Sequence, residues 1–194
     1  MVDTLSATAL AGGLSWASGL RLYMTIFMAG LLGRLGWLDL PASLEVLESP
    51  WVLGVSGVLL VVEFLADKVP GIDSAWDAVH TFLRIPAGAI LSVAALGQMD
   101  PAWTAVAALL GGTLAASAHF TKAGSRALIN TSPEPFSNWA ASFSEEAVVA
   151  GGLWAAFFHP WLWFILLALF LLLALWLMPK LWRGMRWLFR KFST

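Results

Sequence analysis

The sequence predicts an all-α fold: a polytopic transmembrane bundle of about six helices, some of them broken, with an interfacial amphipathic helix at the C-terminus. Of its 194 residues, 59% are hydrophobic and only 12% are charged, whereas soluble domains carry about 25% charged residues. Twelve Trp against one Tyr fit a chain with two membrane interfaces, where Trp collects. The absence of Cys excludes disulfides and thiolate metal sites.

Six apolar segments approach the roughly 20 residues that a bilayer core requires. Their predicted ranges are about 5–32, 49–68, 73–97, 100–128, 137–158 and 160–178. The first helix has a predicted break near 15–19. The second and fourth begin with a cap residue followed by Pro50 or Pro101, which suits the first helical position. Within the third, Pro86 predicts a kink.

The basic residues predict the orientation of the bundle. Five of the eleven lie in the C-terminal tail, namely Lys180, Arg183, Arg186, Arg190 and Lys191. Because positive charge stays on the cytoplasmic side, we expect the C-terminus there and, with six crossings, the N-terminus as well. The outer interface is then marked by Trp37, Trp51, Trp103, Trp161 and Trp163.

The tail itself is predicted to be a separate segment over residues 180–194, after a bundle over residues 1–179. Its apolar side chains share one helical face opposite the cations: Leu181, Trp182, Met185, Leu188, Phe189 and Phe192. This pattern predicts a helix that lies on an anionic cytoplasmic leaflet. The simpler interpretation is an anchor that only sets orientation, without binding a particular lipid headgroup or partner.

A weak internal repeat is also predicted. Residues 49–97 and 100–158 each run from a cap and Pro through an apolar helix to a charged end, a Pro-containing turn and a polar-striped helix. Two such units would be related by an axis along the membrane normal.

Polar side chains recur at helical spacing on four of the predicted helices, near their expected cytoplasmic ends. Glu63 and Asp67, four residues apart, share one helix face. With Arg21 of the first helix, the candidate pathway residues are Glu63, Asp67, Asp73, Asp77, His80, Arg84, His119, Lys122, Arg126, Asn138, Ser142 and Glu145. A charge at mid-bilayer costs about 2.5–3.5 kcal/mol, so Glu63 and Glu145 should face the bundle interior or water.

Each of these residues also has a structural interpretation. Asp73 is a natural N-cap for the third helix, and a lone His119 is as well explained by a hydrogen bond to a neighbour as by a ligand. The structural ion pairs predicted between these side chains are Asp77 with Arg84 and Lys122 with Glu145. Arg21 either extends towards the interface or contributes to the polar centre, and we favour the second.

The stretch from Glu63 through Asp67-Lys-Val-Pro to Asp73, continuing to His80-Thr-Phe-Leu-Arg84, resembles a widespread bacterial family of integral-membrane domains of unknown function. The likeness includes Ser18–Tyr23, His119–Lys122 with Arg126, and Pro133–Asn138, and covers about residues 5–158. It implies a small protein of the bacterial inner membrane and supplies no substrate or reaction.

The segment Glu63-Phe-Leu-Ala-Asp67-Lys68 also resembles, more loosely, a motif of proton-coupled calcium/manganese exchangers, Glu-x-Gly-Asp-Lys/Arg-Ser/Thr. Here it has one extra residue, no Gly, and Val69 where the hydroxyl belongs. The likeness implies cation chemistry, with Glu63 and Asp67 as candidate ligands of a divalent cation.

These patterns favour a small transporter or channel for a cation, proton or small solute that uses buried carboxylates. One alternative is a membrane-embedded enzyme that acts on a lipid-linked phosphate with a divalent metal, although H-E-x-x-H and G-x-S-x-G are absent. Another is a non-catalytic membrane assembly protein. Expected partners are the bilayer, anionic lipid at the tail and further copies of the chain, whereas nucleic acid is not expected, because the only basic run faces the membrane.

Overall fold

The computed structural model describes residues 4–131 and 136–192 as six α-helices and one short 3-10 helix. The α-helices are α1 (Thr4–Arg34), α2 (Pro50–Ala66), α3 (Pro70–Leu96), α4 (Pro101–Ile129), α5 (Phe136–Phe158) and α6 (Pro160–Phe192), and the short helix is Glu45–Glu48. The predicted bundle of six helices is confirmed. Three of these helices, over 71–96, 101–129 and 160–184, are long and apolar enough to cross a membrane, which makes this a membrane protein.

Proline and a capping aspartate define where several helices begin. The Asp100 carboxylate accepts a hydrogen bond from the Ala102 amide at 2.9 Å, as expected for an N-cap. Helix α3 begins at Pro70 after Val69 in the cap position, so Asp73 is not the N-cap that the sequence predicts. Pro70 can occupy the first turn without losing a hydrogen bond. The helix therefore begins three residues earlier in the chain than predicted.

Helix α1 reverses direction within the bundle. Arg21 has non-helical backbone angles, with φ of −143° and ψ of 81°. Ser6 and Leu10 line the same cavity as Trp37, a cavity of about 230 Å³. A straight helix would separate residues 6 and 37 by about 45 Å. Helix α1 is therefore a re-entrant hairpin with its tip at Arg21.

Contacts along both arms agree with this reversal. In the first arm, Gly13 lies against Ala156 near the end of α5. In the second arm, Gly57 of α2 lies against Phe27, and Gly30 lies against Leu47. Both ends of α1 thus lie at one end of the bundle, which we call the base end, and the connections α2–α3 and α4–α5 lie at the other, which we call the tip end.

The hairpin changes the predicted topology. Five helices run between the two ends, and α6 finishes at the tip end, where Leu181 packs against Gly124. Thr4 therefore lies at the opposite end from the C-terminal part of α6, whereas six crossings predict both on one side. The break also lies at Arg21 rather than at 15–19, because Ser15 to Gly19 stay helical and buried in close packing.

The hairpin is the centre of the fold. It packs against every other helix, and Ala9, Leu14 and Ala17 of its first arm are fully buried. Close approach depends on small residues: a Cβ on Gly19 would overlap the carbonyl of Ala115 in α4. Such small-residue contacts let membrane helices pack by van der Waals attraction.

One expectation for the last helix differs from the structure. Trp163, predicted at the outer interface, is 1% exposed and packs edge-on against Trp16 of the hairpin, with 5.4 Å between ring centroids. Helix α6 continues through Pro179 into the predicted tail. The side chains of Met185, Leu188, Phe189, Phe192, Arg190 and Lys191 lie outside the described residues, as do residues 132–135, so the interfacial face of the tail stays a prediction.

Candidate functional site

The predicted polar residues converge in the tip-end half of the bundle. Twelve of the thirteen are buried: Arg21, Glu63, Asp67, Asp73, Asp77, His80, Arg84, His119, Lys122, Arg126, Asn138 and Ser142. The side chain of Glu145 is 17% exposed. Helices α2 to α5 supply all of them except Arg21, which the hairpin tip inserts between the other helices. We call the ion-paired members of this group the charged cluster: Arg21, Glu63, Asp67, Asp77, Arg84, Lys122, Arg126 and Glu145.

The hairpin tip binds the end of α2 and the first half of α5 through the Arg21 guanidinium. Its Nη2 lies 2.7 Å from Asp67 Oδ2 and 3.3 Å from Glu145 Oε2. The same nitrogen donates to the Ser142 hydroxyl at 3.1 Å and lies 3.7 Å from Glu146 Oε1. These contacts fix the position of the tip in the charged cluster.

Two carboxylates in this region are shared among the same three cations. Asp67 Oδ2 lies 3.4 Å from Lys122 Nζ and 3.5 Å from Arg126 Nη2, in addition to its contact with Arg21. Glu145 receives two hydrogen bonds from the Arg126 fork, at 2.7 and 3.1 Å, and lies 3.6 Å from Lys122. The predicted ion pair of Lys122 with Glu145 is therefore present, as one contact of a larger network.

A second ion-paired group lies on α2 and α3. The Arg84 guanidinium donates to Glu63 Oε1 at 2.6 Å and to Asp77 Oδ1 at 2.7 Å, and all three side chains are almost completely buried. The predicted pair of Asp77 with Arg84 is thus present. Lys122 lies 3.5 Å from Asp77 and joins this group to the one around Asp67.

His119 links the second group to a hydroxyl. Its Nδ1 lies 3.2 Å from Arg84 Nη1, and its Nε2 lies 2.7 Å from the Thr81 hydroxyl. Arginine can only donate, so Nδ1 is the acceptor. Because the Thr81 hydroxyl donates to the Asp77 carbonyl at 3.0 Å, it accepts from Nε2. The contacts therefore fit a neutral ring protonated on Nε2.

A second imidazole–hydroxyl pair lies beside the cluster. His80 Nδ1 donates to the Trp76 carbonyl at 2.8 Å, and Tyr23 donates to His80 Nε2 at 3.0 Å. Tyr23 and Thr81 are functional candidates that were not predicted from the sequence. Tyr23 follows Arg21 by two residues, but nothing in its spacing indicates a histidine partner on α3.

Three predicted residues have local partners. Asp73 accepts a hydrogen bond from Asn130 at 2.8 Å, and in the described part of the chain no ion pair joins it to the cluster. Asn138 accepts two bonds from Arg126, through its backbone and side-chain oxygens at 3.1 and 3.2 Å. Ser142 binds Arg21 as described above. Asn138 and Ser142 orient the arginines, whereas the bond between Asp73 and Asn130 joins α3 to the end of α4.

The predicted cation ligands Glu63 and Asp67 have separate guanidinium partners. Glu63 binds Arg84, whereas Asp67 binds Arg21. Among the residues that the structure describes, no group of three or more His, Asp or Glu side chains is placed to hold a metal ion. A divalent cation at this pair therefore gains no support from the geometry.

Two clefts reach the cluster from the sides of the bundle. One, of about 190 Å³ between α3 and α4, is lined by Ser74, Asp77, Ala78, Thr81, His119, Phe120, Ala123, Arg126 and Ala127. The other, of about 270 Å³, is lined by Met24, Leu60, Val61, Phe64 and Glu146. We call these the α3–α4 cleft and the α2–α5 cleft.

Lys68, in the α2–α3 connection, lies beside the second of these clefts. Its ammonium sits 2.8 Å from the centroid of the Phe64 ring and donates to the Phe64 carbonyl at 3.1 Å. Burial lowers the pKa of Lys68, and the negative charges of Glu146 and Asp67 oppose that shift. The ammonium thus adds a partly desolvated cation near the tip end.

Comparison with known proteins gives a family without a function. A family model matches residues 8–180, so the match includes most of α6, whereas the predicted resemblance ends near residue 158. No curated protein matches the sequence, and no solved structure matches it. By the length of the family match, the chain belongs to the family described as domain of unknown function DUF4126.

Proposed function

We propose that the chain is a small membrane transporter or channel for a cation, a proton or a small solute, and that its buried carboxylates carry the transported charge. One observation carries the proposal: a re-entrant hairpin inserts Arg21 into an ion-paired cluster contributed by four other helices. Broken helices buried among other helices form the substrate and ion sites of many transporters.

The energetic cost of the cluster supports a functional role. Charged side chains inside a membrane are costly and mark ion paths and proton relays. Buried ion pairs often stabilise a protein no more than apolar residues of similar volume would. Four buried cations, Arg21, Arg84, Lys122 and Arg126, are therefore a poor means of stability alone.

The shared carboxylates support movement of charge. Asp67 and Glu145 contact the same three cations at distances between 2.7 and 3.6 Å. If Asp67 is protonated or displaced, each of its cations keeps Glu145 as a partner. The cluster can then adopt a second pairing without leaving a cation unpaired, which is the property that a translocation site needs.

In this conformation, close packing of α3 against α4 separates the charged cluster from the clefts at the base end. A Cβ on Gly88 would overlap Ala115, and one on Gly111 would overlap Ser92, so α3 and α4 are in close contact there. Both clefts that reach the cluster lie in the tip-end half. In our proposal, a change in the hairpin opens the base-end half.

For orientation, we propose that the tip end faces the cytoplasm of a bacterial cell across its inner membrane. The tail carries Lys180, Arg183 and Arg186 at the tip end, and positive charge stays on the cytoplasmic side. In this orientation the tail can bind anionic lipid. A bundle with five crossing helices is small for a complete pathway, so we also propose a homo-oligomer.

The two alternative functions, a membrane-embedded enzyme and a non-catalytic assembly protein, have less support. An enzyme on lipid-linked phosphate would gather three or more carboxylates around a metal, and the described residues form no such group. A non-catalytic assembly protein would have a fully paired cluster without access, whereas Asp77 and His119 line the α3–α4 cleft.

The test is ion flux in proteoliposomes, with the wild type compared with Asp67→Asn. We expect flux of protons or of a cation such as Mg²⁺, Mn²⁺ or Ca²⁺ in the wild type and at least about a tenfold loss in the variant, since a residue that carries the transported charge cannot be replaced by a neutral amide. Glu45→Gln is the matched control, because Glu45 is an exposed acid at the base end.

Folding of the variant is checked separately. Removing one partner of a buried ion pair costs about 3–5 kcal/mol, so Asp67→Asn is also made with Arg21→Gln, which restores the charge balance. The proposal is abandoned if the folded wild type passes neither protons nor cations, or if the folded Asp67→Asn protein passes them at the wild-type rate.

A further inference from the structure

We infer that the transported species is the proton, which moves through the charged cluster by way of its carboxylates and buried water, while two imidazole–hydroxyl pairs hold the neighbouring groups in position. This inference rests on the proposed function and narrows its substrate. Six buried polar atoms of the cluster have no partner within the protein, and the carboxylates beside them can hold or pass on a proton.

The charged cluster contains both hydrogen-bond acceptors and hydrogen-bond donors that have no protein partner. All of them lie on side chains that are at least nine-tenths buried. The acceptors are Glu63 Oε2, Asp67 Oδ1 and Asp77 Oδ2. The donors are Arg21 Nε, Arg21 Nη1 and Arg84 Nε. Buried polar atoms are satisfied in almost every native structure, so these six need partners.

Water is the partner that fits both kinds. A metal cation can bind the three oxygens but not the three nitrogens, and an anion can do only the reverse. A water molecule both donates and accepts, and buried waters typically make about three hydrogen bonds to such groups. Because the other oxygen of each of these carboxylates already binds an arginine, a metal ion at the unpaired oxygen would be repelled by that nearby positive charge.

Two imidazole–hydroxyl pairs hold the groups along the path in position. His119 Nδ1 accepts from Arg84 Nη1, the nitrogen that also binds Asp77, so the pair of Thr81 with His119 fixes Arg84 beside Asp77. In His119 the protonated Nε2 faces the Thr81 hydroxyl at 2.7 Å. In His80 the acceptor Nε2 faces the Tyr23 hydroxyl at 3.0 Å on the hairpin.

The positions of Asp77 and Glu63 define a route for the proton from the α3–α4 cleft into the interior of the bundle. Asp77 lines the α3–α4 cleft, and Arg84 bridges it to Glu63, which is fully buried. A proton that arrives from water on Asp77 forms an O–H bond there and weakens the Arg84 contact. Transfer to Glu63 breaks that bond, forms one at Glu63 and restores the charge of Asp77, so no co-reactant is needed.

The experiment measures proton and metal flux in the same vesicles. Proteoliposomes carry an internal pH dye or a dye for Mg²⁺, Mn²⁺ or Ca²⁺, and a potassium diffusion potential drives cations inwards. We expect acidification of the lumen without metal entry, and at least about a tenfold slower acidification in Glu63→Gln, in line with the loss of a proton-transfer group.

A matched pair of threonine variants tests this positioning rather than the fold. Thr81 and Thr121 are both half-buried, and each hydroxyl donates to the carbonyl four residues earlier, at 3.0 and 2.7 Å. Only Thr81 also contacts a histidine. Thr81→Val should slow proton flux several-fold, because the hydroxyl that holds His119 against Arg84 is lost, whereas Thr121→Val should leave it at the wild-type rate.

The outcomes separate this inference from the proposed function. Metal entry without acidification overturns the proton inference and leaves transport standing. Equal proton flux in Thr81→Val and Thr121→Val overturns the positioning role assigned to Thr81 and His119. If the folded wild type moves neither protons nor metals, the proposed function fails together with the inference.

Discussion

At the residue scale, the arginines of the cluster hold it together because each serves more than one carboxylate. Arg84 binds Glu63 and Asp77 through different nitrogens, at 2.6 and 2.7 Å. The planar guanidinium presents several donors in a fixed fork, whereas the lysine ammonium is a compact point charge on a flexible stem. The geometry at Arg84 therefore depends on the guanidinium as well as on its charge.

Replacing Arg84 tests this dependence. Arg84→Met leaves two buried carboxylates near each other and should lower the free energy of unfolding by about 3–5 kcal/mol. Arg84→Lys should lower it less, because the ammonium keeps one of the two contacts. The measurement is unfolding of the purified protein in mixed micelles with increasing denaturing detergent.

A double variant provides the control for that series. Arg84→Met combined with Glu63→Gln should recover most of the lost stability, since Asp77 still lies 3.5 Å from Lys122. Equal stability of the single and the double variant would contradict the ion pair between Glu63 and Arg84 as the source of the loss.

At the element scale, the hairpin is placed by close packing of small residues as much as by charge. Gly19 lies two residues before the tip and faces the backbone of α4 at Ala115. Its neighbours Ser15 and Ser18 are fully buried, and the Ser15 hydroxyl donates to the Gly88 carbonyl at 2.9 Å. A larger residue in this arm would push the tip away from the charged cluster.

Two glycine variants separate packing from helix propensity. Gly19→Ala should destabilise the protein by about 1–3 kcal/mol, because its methyl group would overlap the Ala115 carbonyl. Gly151→Ala in α5 meets no atom within 4 Å and should stabilise by about 0.5–1 kcal/mol, as alanine does within helices. Unfolding in mixed micelles compares both with the wild type, and a stabilising Gly19→Ala would argue against the tight hairpin contact.

At the scale of the whole molecule, the reversal of α1 decides which parts of the chain share a side of the membrane. Residues 4 and 39 lie on either side of the hairpin and at the same end of the bundle, whereas residue 131 follows α4 at the other end. A straight first helix would instead place residues 4 and 39 on opposite sides.

Single cysteines test this arrangement directly, since the chain has none of its own. Thr4→Cys, Asp39→Cys and Thr131→Cys all change exposed residues. A membrane-impermeant maleimide added to intact cells should label the first two alike and leave the third unlabelled until the membrane is opened. Opposite labelling of Thr4→Cys and Asp39→Cys would falsify the re-entrant hairpin.

The sequence by itself determined the class of the protein and most of its elements. Apolar length and low charge are local properties, so the helices were predictable, and Pro50 and Pro101 marked two of their starts within a residue. The polar stripes were predictable too, because helical spacing fixes which side chains share a face. The burial of Glu63 followed from the cost of leaving such a charge in lipid.

Only the tertiary structure decided how those faces meet. Nothing local distinguishes a 31-residue helix that crosses the membrane from one that reverses at Arg21, because one residue with different backbone angles redirects every contact after it. The sharing of Asp67 and Glu145 among three cations, and the pairing of Thr81 with His119, join residues from different helices. Such contacts depend on the relative positions of whole elements, which the spacing of residues along one helix does not contain.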